Sequence, residues 1–144
     1  WQTLLSLACL FLLFTSQSQA DSKDFGEFEV HWSVFPSTFL APEIARENNL
    51  NRSRGIGIVN ISIMRETEDG GLEPVSGQVE GKVMNDIQQA RFLAFRRIQE
   101  GNAVYFIAEY QYSNAELMTF QITTRPTGAR QDLPIRFTHT LFND

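Results

Sequence analysis

Cysteine is almost absent from this sequence: Cys9 is the only one among 144 residues. A single thiol cannot form an internal disulfide, and a structural zinc site needs several Cys or His ligands at defined spacings. The two histidines, His31 and His139, fall on different predicted strands and belong to no HExxH or EF-hand pattern. We therefore expect no metal ion or other cofactor, and a fold that depends on its hydrophobic core.

Positive charge is also scarce, since 12 Lys and Arg face 17 Asp and Glu, for a net charge of −5. A protein that binds nucleic acid needs a basic surface to neutralise phosphates, so we expect no nucleic-acid partner. The sequence is nevertheless 42% hydrophobic and 12% aromatic. Such a composition excludes a disordered chain, and the length favours one domain.

Residues 1–20 carry no charge, and their apolar run over residues 4–14 is shorter than the roughly 20 residues of a transmembrane helix. The run has the length of a signal-peptide core, and Ser18 and Ala20 supply the small residues of a cleavage site. We predict an N-terminally truncated signal peptide that is cleaved after Ala20, export to the periplasm, and membrane contact only before cleavage. An uncleaved membrane anchor is the alternative.

The remaining residues, 21–144, are dominated by alternation of apolar and polar side chains, which is typical of strands with one buried face. Six segments show it, namely residues 28–34, 57–64, 75–84, 104–112, 117–123 and 135–141, and a seventh strand over residues 92–98 is less regular. Short turns rich in Gly, Asn and Pro separate most of them, which favours antiparallel neighbours. We predict an all-β domain, an immunoglobulin-like antiparallel β-sandwich of about seven strands.

Two segments depart from this alternation. Apolar residues in 92–98 do not share one parity, which predicts a β-bulge near Arg96 and Arg97. Residues 39–54 form a long crossover between strands 1 and 2, and Pro42 fits the first position of a short helix there. A connection of this length would allow the first strand to cross from one sheet to the other.

Catalytic patterns are missing. Residues 21–144 lack cysteine, and no G-x-S-x-G nucleophile elbow occurs in the sequence. Gly55 and Gly57 resemble part of a nucleotide-binding loop, but Asn60 occupies the position of the third glycine and a strand follows. These glycines indicate close strand packing instead. We predict that the protein is not an enzyme.

Arginines form two clusters in this acidic chain. The first, Arg46, Arg52 and Arg54, lies in the crossover, and the second, Arg91, Arg96 and Arg97, surrounds the predicted bulge. Arginine binds carboxylates and phosphates well, although solvated surface charge is the alternative for both clusters. Because long loops on rigid sandwiches often carry function, the candidate binding residues are Phe39, Arg46, Arg52 and Arg54.

Five stretches resemble an uncharacterised bacterial family, the domain of unknown function DUF4426. They are residues 25–31 (FGEFEVH), 39–45 (FLAPEIA), 60–63 (NISI), 100–109 (EGNAVYFIAE) and 135–140 (IRFTHT). The resemblance spans essentially all of residues 21–144. It implies an exported, periplasmic protein of Gram-negative bacteria, and it implies no activity and no established site residues.

Two functional hypotheses follow. The first is a non-catalytic envelope module that binds another protein or a peptide at the crossover or at a sheet edge. The alternative is a binder of a small anionic ligand, held by Arg46, Arg52 and Arg54. An enzyme ranks last.

Overall fold

The computed structural model describes residues 21–143, so the predicted signal peptide lies outside the described residues. Within them, no helix is long and apolar enough to cross a membrane. The described chain forms ten strands, one 3-10 helix at Ser37–Phe39 and one α-helix, α1, at Pro42–Glu47. The strands are β1 Asp21–Asp24, β2 Phe28–Pro36, β3 Ile56–Glu66, β4 Leu72–Pro74, β5 Gly77–Met84, β6 Ala90–Leu93, β7 Arg96–Glu100, β8 Ala103–Gln111, β9 Leu117–Pro126 and β10 Leu133–Thr140.

Two antiparallel sheets make up the fold. The first sheet has the order β1-β2-β3-β8-β7, with β4 paired to β3, and the second has the order β10-β9-β5-β6. The chain passes between the sheets after β4, β6 and β8. The predicted all-β sandwich is confirmed, and β1 and β4 are short strands that add to the predicted set.

The core between the sheets contains the residues of the predicted apolar parity. Phe120 of the second sheet is fully buried, and its ring stacks on that of Phe137 with centroids 4.9 Å apart. Phe137 in turn stacks on Trp32 of the first sheet, with centroids 5.0 Å apart. Aromatic stacking across the interior therefore joins the two sheets.

The predicted β-bulge near Arg96 and Arg97 is wrong. β6 ends at Leu93 in the second sheet and β7 begins at Arg96 in the first, so the chain changes sheet at Ala94 and Phe95. The parity shift arises because Leu93 and Ile98 are both buried, but in different clusters and in different sheets.

The long connection contains the predicted short helix, α1. Pro42 lies in the first turn of α1, where a backbone N–H would have no partner within the helix, so its absence costs nothing. The negative charge of Glu43 in the same turn interacts favourably with the helix dipole. However, β2 and β3 are antiparallel neighbours in one sheet, so the connection does not lead to the other sheet. It instead runs along the outer face of the sheet that it leaves.

Gly57 permits close packing in β3, as predicted. A Cβ atom at this position would lie 2.6 Å from Cε1 of Tyr110 and 2.9 Å from Cδ1 of Leu141. The space that a side chain would need is therefore already filled by the core. This packing accounts for the glycine without a nucleotide.

Candidate binding surface

Residues 37–54, which we call the pinned segment, cover part of the outer face of the first sheet. Leu40, Ala45 and Leu50 of the segment pack in one cluster with Ile58, Ile98 and Ile107 of the sheet. Ile58 and Ile107 lie on the parity opposite to the main core, so β3 and β8 are apolar on both faces there. Burial of this second cluster holds the segment against the sheet.

Hydrogen bonds close the two ends of the pinned segment. The fully buried Ser37 donates from Oγ to the carbonyl oxygen of Ser53 at 2.8 Å. The Ser53 amide donates back to the same Oγ at 2.9 Å. Arg52 adds a bond from Nη2 to the Thr38 carbonyl oxygen at 3.1 Å. The segment therefore forms a closed loop whose two ends meet.

Glu109 and Arg96 fix the middle of the segment. Oε2 of Glu109 accepts from the Asn51 amide at 3.1 Å and from Asn51 Nδ2 at 3.3 Å. Arg96 donates from Nη1 to the carbonyl oxygens of Asn48 and Asn49, and its Nη2 lies 3.7 Å from Oε1 of Glu109. The sequence pattern does not identify Glu109 as an anchor, because its partner is 58 residues away.

Phe39 projects into solvent from the pinned segment. It ends the 3-10 helix and is 74% exposed, whereas the next residue, Leu40, is buried in the second cluster. Its Cα position is thus held by its neighbour while its ring stays free. Arg46 is also exposed, in the last turn of α1, where a positive charge suits the helix dipole.

The three candidate arginines have different surroundings. Arg52 is used inside the segment, as described above, and Arg54 lines a groove of about 590 Å³ together with Arg91. Gln111 and Glu116 also line this groove, and Arg91 donates from Nη1 to Oε1 of Gln111 at 3.3 Å. This groove thus brings together Arg54 of the first sequence cluster and Arg91 of the second. The other two arginines of the second cluster form hydrogen bonds within the protein, Arg96 to the pinned segment and Arg97 to Ser76 and Gln99.

The histidines lie at separate places. Nε2 of His31 is 3.8 Å from Oε2 of Glu29 on the outer face of the first sheet. His139 is half-buried, and this burial lowers its pKa, while the nearby Asp21 carboxylate has a smaller raising effect. Among residues 21–143, no group of three or more His, Asp or Glu side chains is placed to hold a metal ion.

The fold and the surface define an all-β sandwich in which a long connection, fixed to the outside of one sheet, presents an aromatic side chain to solvent. The chain belongs to the DUF4426 family, a domain of unknown function that matches residues 22–144. The resemblance inferred from the sequence is confirmed. No curated protein matches the sequence.

Solved structures share this fold. A DUF4426 family protein of Pseudomonas aeruginosa PAO1 is 30% identical, with a TM-score of 0.77 over 87% of this chain and 96% of that chain. A copper-bound variant of FetP from uropathogenic Escherichia coli strain F11 is 10% identical, with a TM-score of 0.63 over 85% and 95% of the two chains. FetP of the same strain, expressed recombinantly in the E. coli periplasm, is 10% identical, with a TM-score of 0.59 over 83% of this chain and 93% of that chain. At this identity, the FetP comparison shows the fold alone.

Proposed function

We propose that this protein is a non-catalytic module of the bacterial periplasm that binds another envelope protein or a peptide through the pinned segment. The observation that carries the proposal is the 74% exposure of Phe39 on a segment that is fixed at both ends and in the middle. Aromatic residues are enriched among the side chains that dominate binding energy. An anchor on a fixed backbone also loses little conformational entropy when it binds.

The other exposed residues of the pinned segment also suit a protein partner. Arg46 and Arg54 are exposed on the same segment, and arginine is the charged residue most enriched at interfaces. The segment thus presents one exposed aromatic side chain and two exposed arginines. Sandwiches commonly present binding residues on their connections, where the two sheets supply a rigid support.

Support for the periplasm comes from the predicted signal peptide and, more distantly, from FetP, which was expressed in that compartment for structure determination. A fold that needs no disulfide can form in either redox environment. The assignment to Gram-negative bacteria rests on the family relationship and on the Pseudomonas relative.

The alternative function is the binding of a small anion by Arg46, Arg52 and Arg54. One observation favours a form of it, namely the groove in which Arg54 faces the same space as Arg91. Two guanidinium groups at one groove suit a phosphate or carboxylate ligand. On this alternative, phosphate or citrate would raise the melting temperature, and Arg54→Glu would remove the shift.

In-cell photo-crosslinking tests the proposed function. A photoreactive phenylalanine analogue at position 39 should give a discrete adduct with an envelope protein, because the Phe39 ring is the expected anchor. Arg46→Glu in the same chain should weaken the adduct. The matched control carries the analogue at position 142, where the native Phe142 is also exposed, at 57%.

We expect the position-142 variant to give no adduct of the same size. Equal adducts at both positions, or none at position 39, would contradict the proposed function. A ligand-induced rise in melting temperature without any adduct would instead favour the small-anion alternative.

A further inference from the structure

The outer face of the second sheet carries a row of residues that crosses all four strands. Strand register places Phe92 of β6 opposite Lys82 of β5, Lys82 opposite Gln121 of β9, and Gln121 opposite Arg136 of β10. Paired residues project on the same side of a sheet, so the four side chains form one line. With strands about 4.8 Å apart, the line is about 14 Å long.

This row lies in a groove of about 890 Å³. Glu80, Thr123 and Pro134 line it on the next row of the sheet, and Lys23 of β1 reaches it from the edge of the other sheet. The groove therefore contains three cations and one carboxylate, on a protein whose net charge is −5. It is a local positive region on an acidic molecule.

Of the three cations, Lys23 already lies over the ring of Phe25, with Nζ 5.0 Å from the centroid. Lys82 and Arg136 differ from the paired arginines elsewhere on the protein. Arg65, Arg96 and Arg125 each lie within 3.7 Å of a carboxylate oxygen. In contrast, neither Lys82 nor Arg136 forms an ion pair with any group of the described residues. Phe92 at the end of the row is 92% exposed, on an edge strand of four residues. An unpaired cation or a bare aromatic ring gains most from a partner that supplies the missing contacts.

We propose that this face, which we call the cationic groove, binds an acidic segment of another protein. Carboxylates of the segment lie over Lys82 and Arg136, and an apolar side chain packs on Phe92. Gln121 and Thr123 donate or accept hydrogen bonds between these contacts. Charge complementarity and the spacing of the row carry the proposal.

The geometry favours a polypeptide over other anions. Lys82 and Arg136 are two strands apart, about 9.6 Å at the backbone, so one small anion would contact both only if the two side chains turned toward each other. A membrane surface would meet the Glu80 carboxylate in the same groove, and nucleic acid would meet a protein of net charge −5. An extended segment can place its charges at intervals that match the row.

The cationic groove is distinct from the surface of the proposed function. The pinned segment covers the outside of the first sheet, and the groove lies on the outside of the second. The two surfaces face opposite directions, so one molecule could hold two partners at once. The proposed role of the groove does not depend on the role of Phe39.

Fluorescence anisotropy with a labelled synthetic peptide tests the groove. The probe is a decapeptide of glutamate and glycine with two phenylalanines, and the comparison peptide has lysine in place of glutamate. We expect the acidic peptide to bind the protein at 0.15 M salt. Lys82→Glu combined with Arg136→Glu should weaken binding by about tenfold or more, because both ionic contacts become repulsive. Phe92→Ala should also weaken it several-fold and leave the fold intact, since the ring is exposed.

A matched control makes the same charge change elsewhere, with Arg46→Glu and Arg130→Glu. We expect this variant to bind the peptide within about twofold of the wild type, because charges are screened over about 8 Å at this salt concentration. Because Arg46 belongs to the other surface, loss of the position-39 adduct with unchanged peptide binding separates the two proposals. Failure of the wild type to bind, equal binding of the lysine peptide, unchanged binding by Lys82→Glu/Arg136→Glu, or adsorption to phosphatidylglycerol vesicles without peptide binding would overturn the groove.

Discussion

His139 lies near the end of β10, on the same face as Phe137, and is half-buried. Burial disfavours the charged imidazolium and lowers the pKa of the side chain, while Asp21 of β1 partly offsets this effect. The folded protein therefore binds fewer protons at this site than the unfolded chain just below the ordinary histidine pKa of 6.5. Protonation of His139 therefore destabilises the folded state relative to the unfolded chain.

The consequence is a pH dependence of stability with a defined sign. Because the unfolded state binds more protons, the free energy of unfolding should rise with pH in the window below 6.5. The slope of this rise should correspond to a difference of less than one bound proton. His139→Gln should reduce this slope, and Asp21→Asn should extend the window to lower pH. Urea unfolding between pH 5 and 7 measures it. A slope that is unchanged in His139→Gln would assign the effect to other groups.

The pinned segment has only two short helices and no strand, yet it has a defined path. Its apolar residues cover Ile58 and Ile107, and its polar backbone groups are taken by Ser37, Arg96 and Glu109. A group that is buried in such a loop without a partner would cost about 1–3 kcal/mol. Side chains of the sheet, together with Ser37 of the segment itself, therefore replace the hydrogen bonds that a longer helix or a strand would supply.

Removal of the Glu109 carboxylate tests this account. Glu109→Ala removes the acceptor of Asn51 and the ion-pair partner of Arg96, and we expect the free energy of unfolding to fall by about 0.5–1.5 kcal/mol because water can reach the exposed Asn51. Hydrogen exchange should accelerate in residues 48–52 more than in β3. Glu47→Ala is the control, since it removes an exposed acid from the same segment. Similar exchange in both variants would show that Glu109 does not fix the segment.

The whole molecule depends on contacts between the sheets. Trp32, Phe137 and Phe120 form a continuous stack, and Tyr110 meets Phe120 edge-on with centroids 5.0 Å apart. Trp32 is the one tryptophan of residues 21–144, so its fluorescence reports on the packing of the two sheets. The core between the sheets holds the sandwich together, while the pinned segment and the cationic groove lie on its two outer faces.

Phe137→Ala should loosen this interior. The ring lies between Trp32 and Phe120, and we expect the free energy of unfolding to fall by about 3 kcal/mol. Trp32 fluorescence and far-UV circular dichroism should still change together on unfolding, as for a two-state domain. Phe142→Ala removes an exposed ring and should change stability little. A small effect of Phe137→Ala would mean that the stack contributes little to closing the sandwich.

Strands could be predicted because the alternation of apolar and polar side chains is visible in neighbouring residues of the sequence. The alternation around Val59, Phe120 and Phe137 identified strands and their buried faces, and these residues do lie in the core. Pro42 likewise marked a helix start through a local effect on the backbone. The site was accessible only in part: Phe39 was named from its place in a long connection, but Glu109 was not, because its bond to Asn51 joins residues distant in sequence.

The sequence by itself determined an all-β domain without disulfides, because side-chain periodicity and composition act within a few residues of chain. Only the tertiary structure decided that the chain changes sheet at Phe95, that the connection after β2 returns to the same sheet, and that Lys82 and Arg136 share one row. These facts depend on register and on contacts between remote strands, where a shift of one residue moves every side chain to the opposite face.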